Sequence, residues 1–288
     1  MANTVVWNKH DYVARMRSRV NRPQCWMDVL NVKYTNNRTV VNSYMSTEPT
    51  AVAGTRGTAY VYGDFTLTAD TLTIDGIKMI PVFIDEADRH QQTYVNQMTI
   101  ADFQGKKIGE KIESLMLAEH SSWNDFGVGD LANTSTDDTT KITVSATNID
   151  DIIRAIKRKL YKNNGVDKAV ENGIFIIWRP EDYELLEGFV QANGYTEADI
   201  ALKNGIPVQK GFYYGGVTNY LSNDHTANHI FAGIKRQGEL GILSGTFGQV
   251  KFIEDPGLKS GLGIVSRLDY GFNWPAQLDP FYLDVNVN

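Results

Sequence analysis

Residues 71 to 119 have the sequence TLTIDGIKMIPVFIDEADRHQQTYVNQMTIADFQGKKIGEKIESLMLAE. The first part is rich in strand-forming residues, and Asp75-Gly76 divides it into two runs. A type I′ turn needs φ > 0 at both of its central residues, and Asp-Gly meets that requirement well. The pattern therefore predicts a β-hairpin with its turn at residues 75 and 76.

The second part of this stretch has the apolar spacing of a long helix, from about Ile100 to Glu119. Thr99 is placed to cap the helix, and Asp102 follows three residues later in the first turn. Gly105 and Gly109 lower the intrinsic helix propensity. Because they are four residues apart on one face, we expect them to let another backbone approach closely.

Upstream, the sequence predicts an arm, a polar loop and a ribbon of strands. Val13, Met16 and Val20 have the spacing of a short helix. Residues 35 to 57 are rich in Asn, Thr and Ser, and we expect a long loop with a role outside a compact domain. Strand-forming runs flank Gly63-Asp64, where a further turn is predicted. A thin ribbon is only marginally stable alone, so we expect it to need a partner surface.

Downstream, the sequence predicts a helix, a buried strand and a second helix. Ile149 to Leu160 carries one apolar stripe, with acidic residues in its first turn and basic residues toward its last. Ile174 to Trp178 is a continuous apolar run, typical of a fully buried strand. Pro180 stands where the second helix can begin. Before this block, residues 124 to 141 are predicted as a loop and residues 141 to 146 as a short strand.

The remainder of the chain is rich in Gly and strand-forming residues. The predicted strands are Pro207 to Tyr214, Ile230 to Ile234, Gly248 to Ile253, Gly263 to Tyr270 and Phe281 to Val287. Together with the helices, they predict a mixed α+β fold.

The composition is that of a globular protein, with 42% hydrophobic and 22% charged residues. A net charge of −6 argues against nucleic-acid binding over the whole surface. Residues 1 to 24 differ, because they hold five basic residues and one acidic residue. The single cysteine, Cys25, follows no pairing pattern and is expected in the core beside Trp26. The sequence contains no signal-peptide pattern and no apolar run of roughly 20 residues.

The sequence offers few convergent groups for catalysis or metal binding. His225 and His229 have the i, i+4 spacing of a zinc pair, but no Glu follows the first His and their neighbours favour a loop. Asp85, Glu86 and Asp88 are interpreted as a solvated turn after a strand. A P-loop, a nucleophile elbow and a full dinucleotide fingerprint are missing from the sequence. We therefore predict no catalytic, cofactor-binding or metal-binding residues.

The order of these elements resembles that of the major capsid proteins of tailed phages. Residues 82 to 88, VFIDEAD, are similar to the strand that returns to the family's long spine helix. Residues 215 to 223 resemble its strand-and-Ser-Asn segment, and residues 230 to 233 resemble the strand that follows. Tyr270-Gly271-Phe272, followed by Pro275, resembles the family's ending. The resemblance spans most of residues 58 to 288.

The resemblance implies the Hong Kong 97 fold, an α+β capsid fold with an N-terminal arm, an extended E-loop β-hairpin, a P-domain with the spine helix, and an A-domain. The implied boundaries are 1–34 for the arm, 35–80 for the E-loop, 81–145 for the P-domain with its spine helix at about 100–119, 146–245 for the A-domain, and 246–288 for the P-domain return strands.

The resemblance also implies a structural subunit, not an enzyme, that assembles into the hexamers and pentamers of an icosahedral or prolate phage head around double-stranded DNA. The implied partners are further copies of the chain, a portal, a scaffold and decoration proteins, with no membrane. The implied location is the virion, after assembly in the bacterial cytoplasm. The arm is expected to face the DNA and to offset phosphate charge without reading sequence, through Lys9, Arg15, Arg17, Arg19 and Arg22.

Other function classes stay open at this point. An encapsulin-type compartment shares the fold but encloses cargo enzymes instead of DNA. Another virion protein, such as a decoration or tail-tube subunit, is a second class, although two strong helices argue against a β-rich tail tube. A hydrolase with an unfamiliar site is a third, and it would need a pocket with perturbed titratable groups.

Overall fold

The structure is a computed structural model that describes residues 9–20, 25–45, 54, 56–57, 67–85, 94–163, 165–193, 212–247, 249–254, 261–275 and 281–288. The helices are α1 (Lys9–Val20), α2 (Cys25–Val29), α3 (Tyr94–Leu117), α4 (Val128–Ala132), α5 (Ile149–Lys162), α6 (Val166–Asn172) and α7 (Pro180–Asn193), with a 3₁₀ turn at His120–Ser122. The predicted α+β class is confirmed.

The strands fall into two sheets and one ribbon. They are β1 (Asn31–Thr35), β2 (Thr39–Met45), β3 (Leu67–Thr73), β4 (Gly76–Asp85), β5 (Asn124–Phe126), β6 (Ile174–Trp178), β7 (Phe212–Tyr214), β8 (Val217–Leu221), β9 (His229–Ile234), β10 (Glu239–Leu243), β11 (Gln249–Glu254), β12 (Gly261–Asn273) and β13 (Tyr282–Asn286). The first sheet has the order β1-β10-β12-β11, with β4 also paired to β12. The second has the order β5-β13-β9-β6-β8-β7, and β2 and β3 form the ribbon.

The second sheet separates two hydrophobic cores. Side chains of successive strand residues point to opposite faces. Phe175 and Ile177 of β6 therefore enter the core that also holds buried residues of α1, α2 and α3. Ile174, Ile176 and Trp178 enter the core under α5 and α7. All five side chains are buried, as the continuous apolar run predicted.

The long helix α3 begins earlier than the sequence predicted. It runs from Tyr94 to Leu117, so Thr99 lies inside the helix and is not its N-cap. The apolar periodicity could not reveal this first turn, because one of its buried positions is occupied by a polar residue, Gln97. The predicted close approach at Gly105 is confirmed, since a Cβ there would lie 2.5 Å from the backbone oxygen of Met16 in α1.

The predicted type I′ hairpin at Asp75-Gly76 is wrong. β3 pairs antiparallel with β2, from Thr39↔Thr73 to Met45↔Leu67, whereas β4 pairs antiparallel with β12. Neither Asp75 nor Gly76 has a positive φ. The glycine serves a different purpose, because a Cβ on it would lie 2.6 Å from the ring of Tyr270. The antiparallel ribbon exists, but its strands are β2 and β3.

Other local predictions need correction. Residues 39–45 were expected within a loop but form β2, because they pair with β3. Residues 124 to 141 were expected to be a loop but contain β5 and α4. The predicted strand at 141–146 is reduced to a single bridge between Ile142 and Val287. The turn predicted at Gly63-Asp64 lies outside the described residues.

Most other predicted elements are found close to their expected positions. Of the strand predicted at Pro207 to Tyr214, Phe212–Tyr214 forms β7, and residues 207 to 211 lie outside the described residues. The helix of the arm, the helices α5 and α7, and the strands β6, β9, β11, β12 and β13 are confirmed. The domain boundaries stay predictions. β10 precedes the predicted boundary at residue 246 but lies in the first sheet, and β13 follows that boundary but lies in the second sheet. No helix among the described residues is long and apolar enough to cross a membrane.

Candidate functional sites

The base of the β2–β3 ribbon is anchored to the first sheet. Leu72 and Ile74 are buried there. Asn42 of β2 donates a hydrogen bond to Glu239 of β10 at 2.7 Å, and Lys33 of β1 forms a salt bridge with the same carboxylate. These contacts fix the direction in which the ribbon leaves the body of the chain.

The ribbon carries apolar side chains that its own chain does not cover. Val41 and Leu67 are 61% and 62% exposed. A two-stranded ribbon has too little core to be stable alone, so burial against another surface would stabilise it. The prediction that the ribbon needs a partner surface stays a prediction, and the exposed side chains support it.

A second exposed apolar surface lies on the outer face of the first sheet. Alternate residues of β4 point to this face, and Ile77, Met79 and Phe83 are exposed there. Ile253 of β11 lies on the same face, because it pairs with Gly263, which pairs with Phe83. The opposite face packs into the core through Ile84. We call Ile77, Met79, Phe83 and Ile253 the β4 stripe.

The arm helix α1 packs along the long helix α3. Tyr12, Met16 and Val20 are buried in this contact. Arg15 forms a salt bridge with Asp102 of α3 at 2.7 Å, and Arg17 donates a hydrogen bond to the backbone oxygen of Phe247 at 2.7 Å.

Two of the five arm residues predicted to face DNA thus have partners within the chain. Arg19 lies beside Gly105, with its Cβ 2.8 Å from a Cβ built on that glycine. Arg22 and the side chain of Lys9 lie outside the described residues. The prediction of a DNA-facing arm is not tested by these contacts.

His225 and His229 do not form the zinc pair that their spacing suggested. His225 lies in the loop before β9, as predicted, and its Nε2 is buried. Burial lowers the pKa of His225 to about 4. The imidazole of His225 interacts with the backbone of Trp178 and of His229, whereas the imidazole of His229 stacks on that of His120.

The fold brings His229 together with His120 and Asp284. The Nδ1 atom of His229 lies 2.9 and 2.8 Å from the two carboxylate oxygens of Asp284. The Nδ1 atom of His120 lies 3.3 Å from the same carboxylate. The two imidazole rings are stacked, with centroids 3.9 Å apart. Burial raises the pKa of Asp284, and the two histidines oppose this shift.

No sequence motif predicted the group formed by His120, His229 and Asp284, which we call the His-His-Asp cluster. His120 begins the turn after α3, His229 begins β9, and Asp284 lies in the middle of β13. The antiparallel register pairs His229 with Asn286 and Phe231 with Asp284, so His229 and Asp284 point to one face of the sheet. Only the register of the sheet could have revealed this proximity.

Cys25 occupies a core position, as predicted. Burial, together with the carboxylate of Glu113, raises the pKa of its thiol well above the usual value. Ser222 donates a hydrogen bond to Glu113, and burial raises the pKa of this carboxyl also. A protonated thiol is a poor nucleophile, so this arrangement supports a structural role for Cys25.

The fold was compared with known proteins. No family model and no curated protein matches the sequence. A structure from Mycobacterium phage Che8 matches with a TM-score of 0.63 and 15% identity, covering 91% of this chain and 90% of the other. The capsid of Ralstonia phage GP4 matches with a TM-score of 0.63 and 11% identity, covering 93% and 92%. This chain has a phage capsid fold.

A third match shows that the capsid fold of this chain is shared more widely. A virus-like particle from Pyrococcus furiosus matches with a TM-score of 0.59 and 12% identity, covering 98% of this chain and 100% of the other. In all three cases the agreement covers nearly the full length of both chains. The predicted α+β, Hong Kong 97-like class is confirmed.

Proposed function

We propose that this chain is the major capsid protein of a tailed phage, a structural subunit that assembles with copies of itself into a closed shell. One observation carries the proposal: a full-length capsid fold that leaves a two-stranded ribbon and an apolar sheet face exposed on the isolated subunit. A monomer that worked alone would gain nothing from this exposure, whereas a shell subunit would bury it.

The two exposed surfaces differ, which suits assembly by head-to-tail contacts. In such contacts one surface of a subunit binds a different surface of the next, and a ring forms when the rotation closes. We propose that the ribbon, with Val41 and Leu67, lies across a neighbouring subunit. The β4 stripe would be buried against another copy in the same shell. Hexamers and pentamers built in this way would tile an icosahedral or prolate head.

The proposed partners beyond the chain itself are a portal, a scaffold, decoration proteins and packaged double-stranded DNA. The basic arm would lie on the inner surface and offset phosphate charge. Arg15 and Arg17 already have partners within the chain, so Arg19 is the better candidate for this contact among the described arm residues. Assembly would take place in the cytoplasm of the host, and the mature location would be the virion.

The role that the capsid fold supports is structural and non-enzymatic. A shell subunit acts through extended contacts and needs no convergent acid, base and nucleophile. The cluster around Cys25 fits this role because its thiol is buried and protonated.

The first experiment is to express the chain alone and to image the product by negative-stain electron microscopy. Closed shells, or rings of five and six subunits, are the expected result. A stable monomer at high concentration, even with phage lysate added, would count against the proposal.

A pair of matched variants tests which surface drives assembly. Met79→Glu places a charge in the β4 stripe, where burial against a neighbour would make it costly. Lys78→Gln changes the adjacent residue, which is exposed but points to the other face of β4. We expect Met79→Glu to stop shell formation while the subunit keeps its melting temperature, and Lys78→Gln to assemble normally. Normal shells from both variants would show that the stripe is not an assembly contact.

A shell that encloses protein is the alternative that the sequence left open, and the comparisons do not favour it over a phage head. The two candidates differ in content. Shells purified from infected cells would hold nuclease-protected DNA if the chain is a phage capsid protein, and a defined cargo protein if it forms a compartment.

A further inference from the structure

The His-His-Asp cluster contains a buried carboxylate that forms no salt bridge with a Lys or Arg of the described residues. The side chain of Asp284 is 4% exposed, and its salt-bridge partners among the described residues are His120 and His229. A buried carboxylate needs strong compensation for the water that it loses. The imidazole rings of His120 and His229 are the groups beside this carboxylate, and a bound divalent cation would complete the cluster.

The three side chains offer the donor atoms that zinc and similar ions prefer. Imidazole nitrogen and carboxylate oxygen bind Zn²⁺ at about 2.0–2.2 Å. With bonds of that length in a tetrahedral arrangement, donor atoms lie roughly 3.3 Å apart. Here the Nδ1 atoms lie 2.8 and 3.3 Å from the nearest carboxylate oxygen, and one donor atom from each residue lies within 4.8 Å of the others. Small rotations of the rings would direct all three donors to one point.

The cluster is also accessible and firmly held. Each histidine side chain is 25% exposed, so an ion and a water ligand can reach it from solvent. Asp284 and His229 lie on neighbouring strands of one sheet, whose register fixes their separation. Next to them, Trp123 stacks on Phe231 with ring centroids 3.6 Å apart, and this contact fixes the turn that carries His120. Three protein ligands leave the fourth tetrahedral position for water.

We propose that His120, His229 and Asp284 bind one divalent transition-metal ion, of which Zn²⁺ is the representative. The ion would join the end of the long helix α3 to β9 and β13 of the second sheet. These ligands come from segments that are far apart in the sequence, so the bound ion would stabilise the tertiary arrangement of the subunit. The proposal does not depend on the shell function, since the cluster lies within one chain.

The test uses the full chain in its native assembly state, after treatment with a chelator. Isothermal titration with zinc chloride should give one bound ion per chain. Cobalt chloride should give the visible absorption of a tetrahedral complex, which zinc then removes. Saturating zinc should also raise the melting temperature of the protein, because the ion binds the folded state.

Variants identify the ligands. His120→Gln and His229→Gln should each weaken zinc binding by more than about tenfold, the least that a change in or near a ligand shell normally costs. They should also abolish the zinc-dependent rise in melting temperature. His10→Gln, an exposed histidine on α1, is the matched control and should bind zinc like the wild type.

His225→Gln separates this cluster from the i, i+4 pair, because it should leave the cobalt spectrum unchanged if His225 is not a ligand. If the unmodified chain gives neither zinc binding nor a tetrahedral cobalt spectrum, the proposal is wrong whatever the variants do. It is equally wrong if zinc binds with the same affinity to His120→Gln and His229→Gln.

Discussion

The hydroxyl of Tyr12 in the arm helix donates a hydrogen bond to Oε1 of Gln104 in the long helix, at 2.8 Å. Gln104 is fully buried, and its Nε2 donates to the backbone oxygens of Ile80 and Ile264, at 3.1 and 3.4 Å. One amide side chain thus connects α1 and α3 with β4 and β12. The arm is part of the folded core at this point.

Tyr12→Phe should destabilise the subunit, because it leaves a buried acceptor on Gln104 with one partner fewer. The expected loss is about 1–3 kcal/mol in the free energy of unfolding. Urea unfolding followed by tryptophan fluorescence would measure it. Tyr213→Phe is the control, since Tyr213 is exposed and its loss of a hydroxyl should be neutral. Equal stability of both variants would show that α1 does not depend on this hydrogen bond.

Gly105→Ala should separate the arm helix from the long helix. The added Cβ would lie 2.5 Å from the backbone oxygen of Met16, which cannot move as a side chain can. Overpacking of this kind costs about 1–3 kcal/mol, more than the helix propensity gained.

Gly188→Ala is the matched control for this change in helix α7, because nothing lies within 4 Å of the new Cβ. It should raise the free energy of unfolding by about 0.5–1 kcal/mol. Thermal melts of both variants would give changes of opposite sign. A stabilised Gly105→Ala variant would contradict the close contact between the two helices.

Acid should destabilise the protein through His225. Its pKa is about 4 in the folded state, against 6.5 for an ordinary histidine. As the pH falls between these values, His225 becomes protonated in the unfolded chain but stays neutral in the folded chain. The free energy of unfolding should therefore fall by up to about 3 kcal/mol over this range.

His225→Asn removes this titration, so its stability should change less between about pH 7 and pH 5 than that of the wild type. Denaturant unfolding at several pH values gives the two slopes. His10→Asn should keep the wild-type slope. A His225→Asn slope as steep as that of the wild type would assign the acid sensitivity to other groups.

Lys159→Met should lower the free energy of unfolding far more than the replacement of a typical charged residue does. The ammonium group of Lys159 lies 3.0 Å from Asp130 and 2.9 Å from Asp137, and it donates to the backbone oxygen of Asp125 at 2.6 Å. Asp130 is buried, so removal of the cation leaves a buried carboxylate unpaired. Such a loss costs about 3–5 kcal/mol.

Arg154→Met on the same helix is the comparison for Lys159→Met. Arg154 forms its salt bridges with Asp150 and Asp151 at the surface, where its side chain is 67% exposed. Its replacement should cost less than about 1 kcal/mol. Comparable losses in the two variants, measured by chemical denaturation, would rule out a special role for the buried cation.

Strong local periodicity explains which elements the sequence predicted correctly. The stripe of Ile149 to Leu160 and the run of Ile174 to Trp178 each specify one element without reference to the rest of the chain. Both are found at their predicted positions. The close approach predicted at Gly105 also depended on a local feature, the glycine, which has no Cβ on the surface of the helix.

Non-local pairing explains what the sequence did not reveal. β1 pairs in parallel with β10, about two hundred positions later in the chain, and neither strand has a strong pattern of its own. Asp75-Gly76 is a dipeptide typical of turns, but here the glycine leaves the space that the ring of Tyr270 occupies. The His-His-Asp cluster depends on the register of β9 and β13, which no local spacing encodes.

The position of β13 has a consequence for protein synthesis. β13 lies between β5 and β9, although residues 282 to 286 leave the ribosome long after both of those strands. Until then the edge of β9 that pairs with β13 is open, and β5 cannot join the other strands of the sheet. During synthesis the edge of β9 therefore stays accessible to chaperones and to neighbouring chains until β13 has been made and completes the sheet.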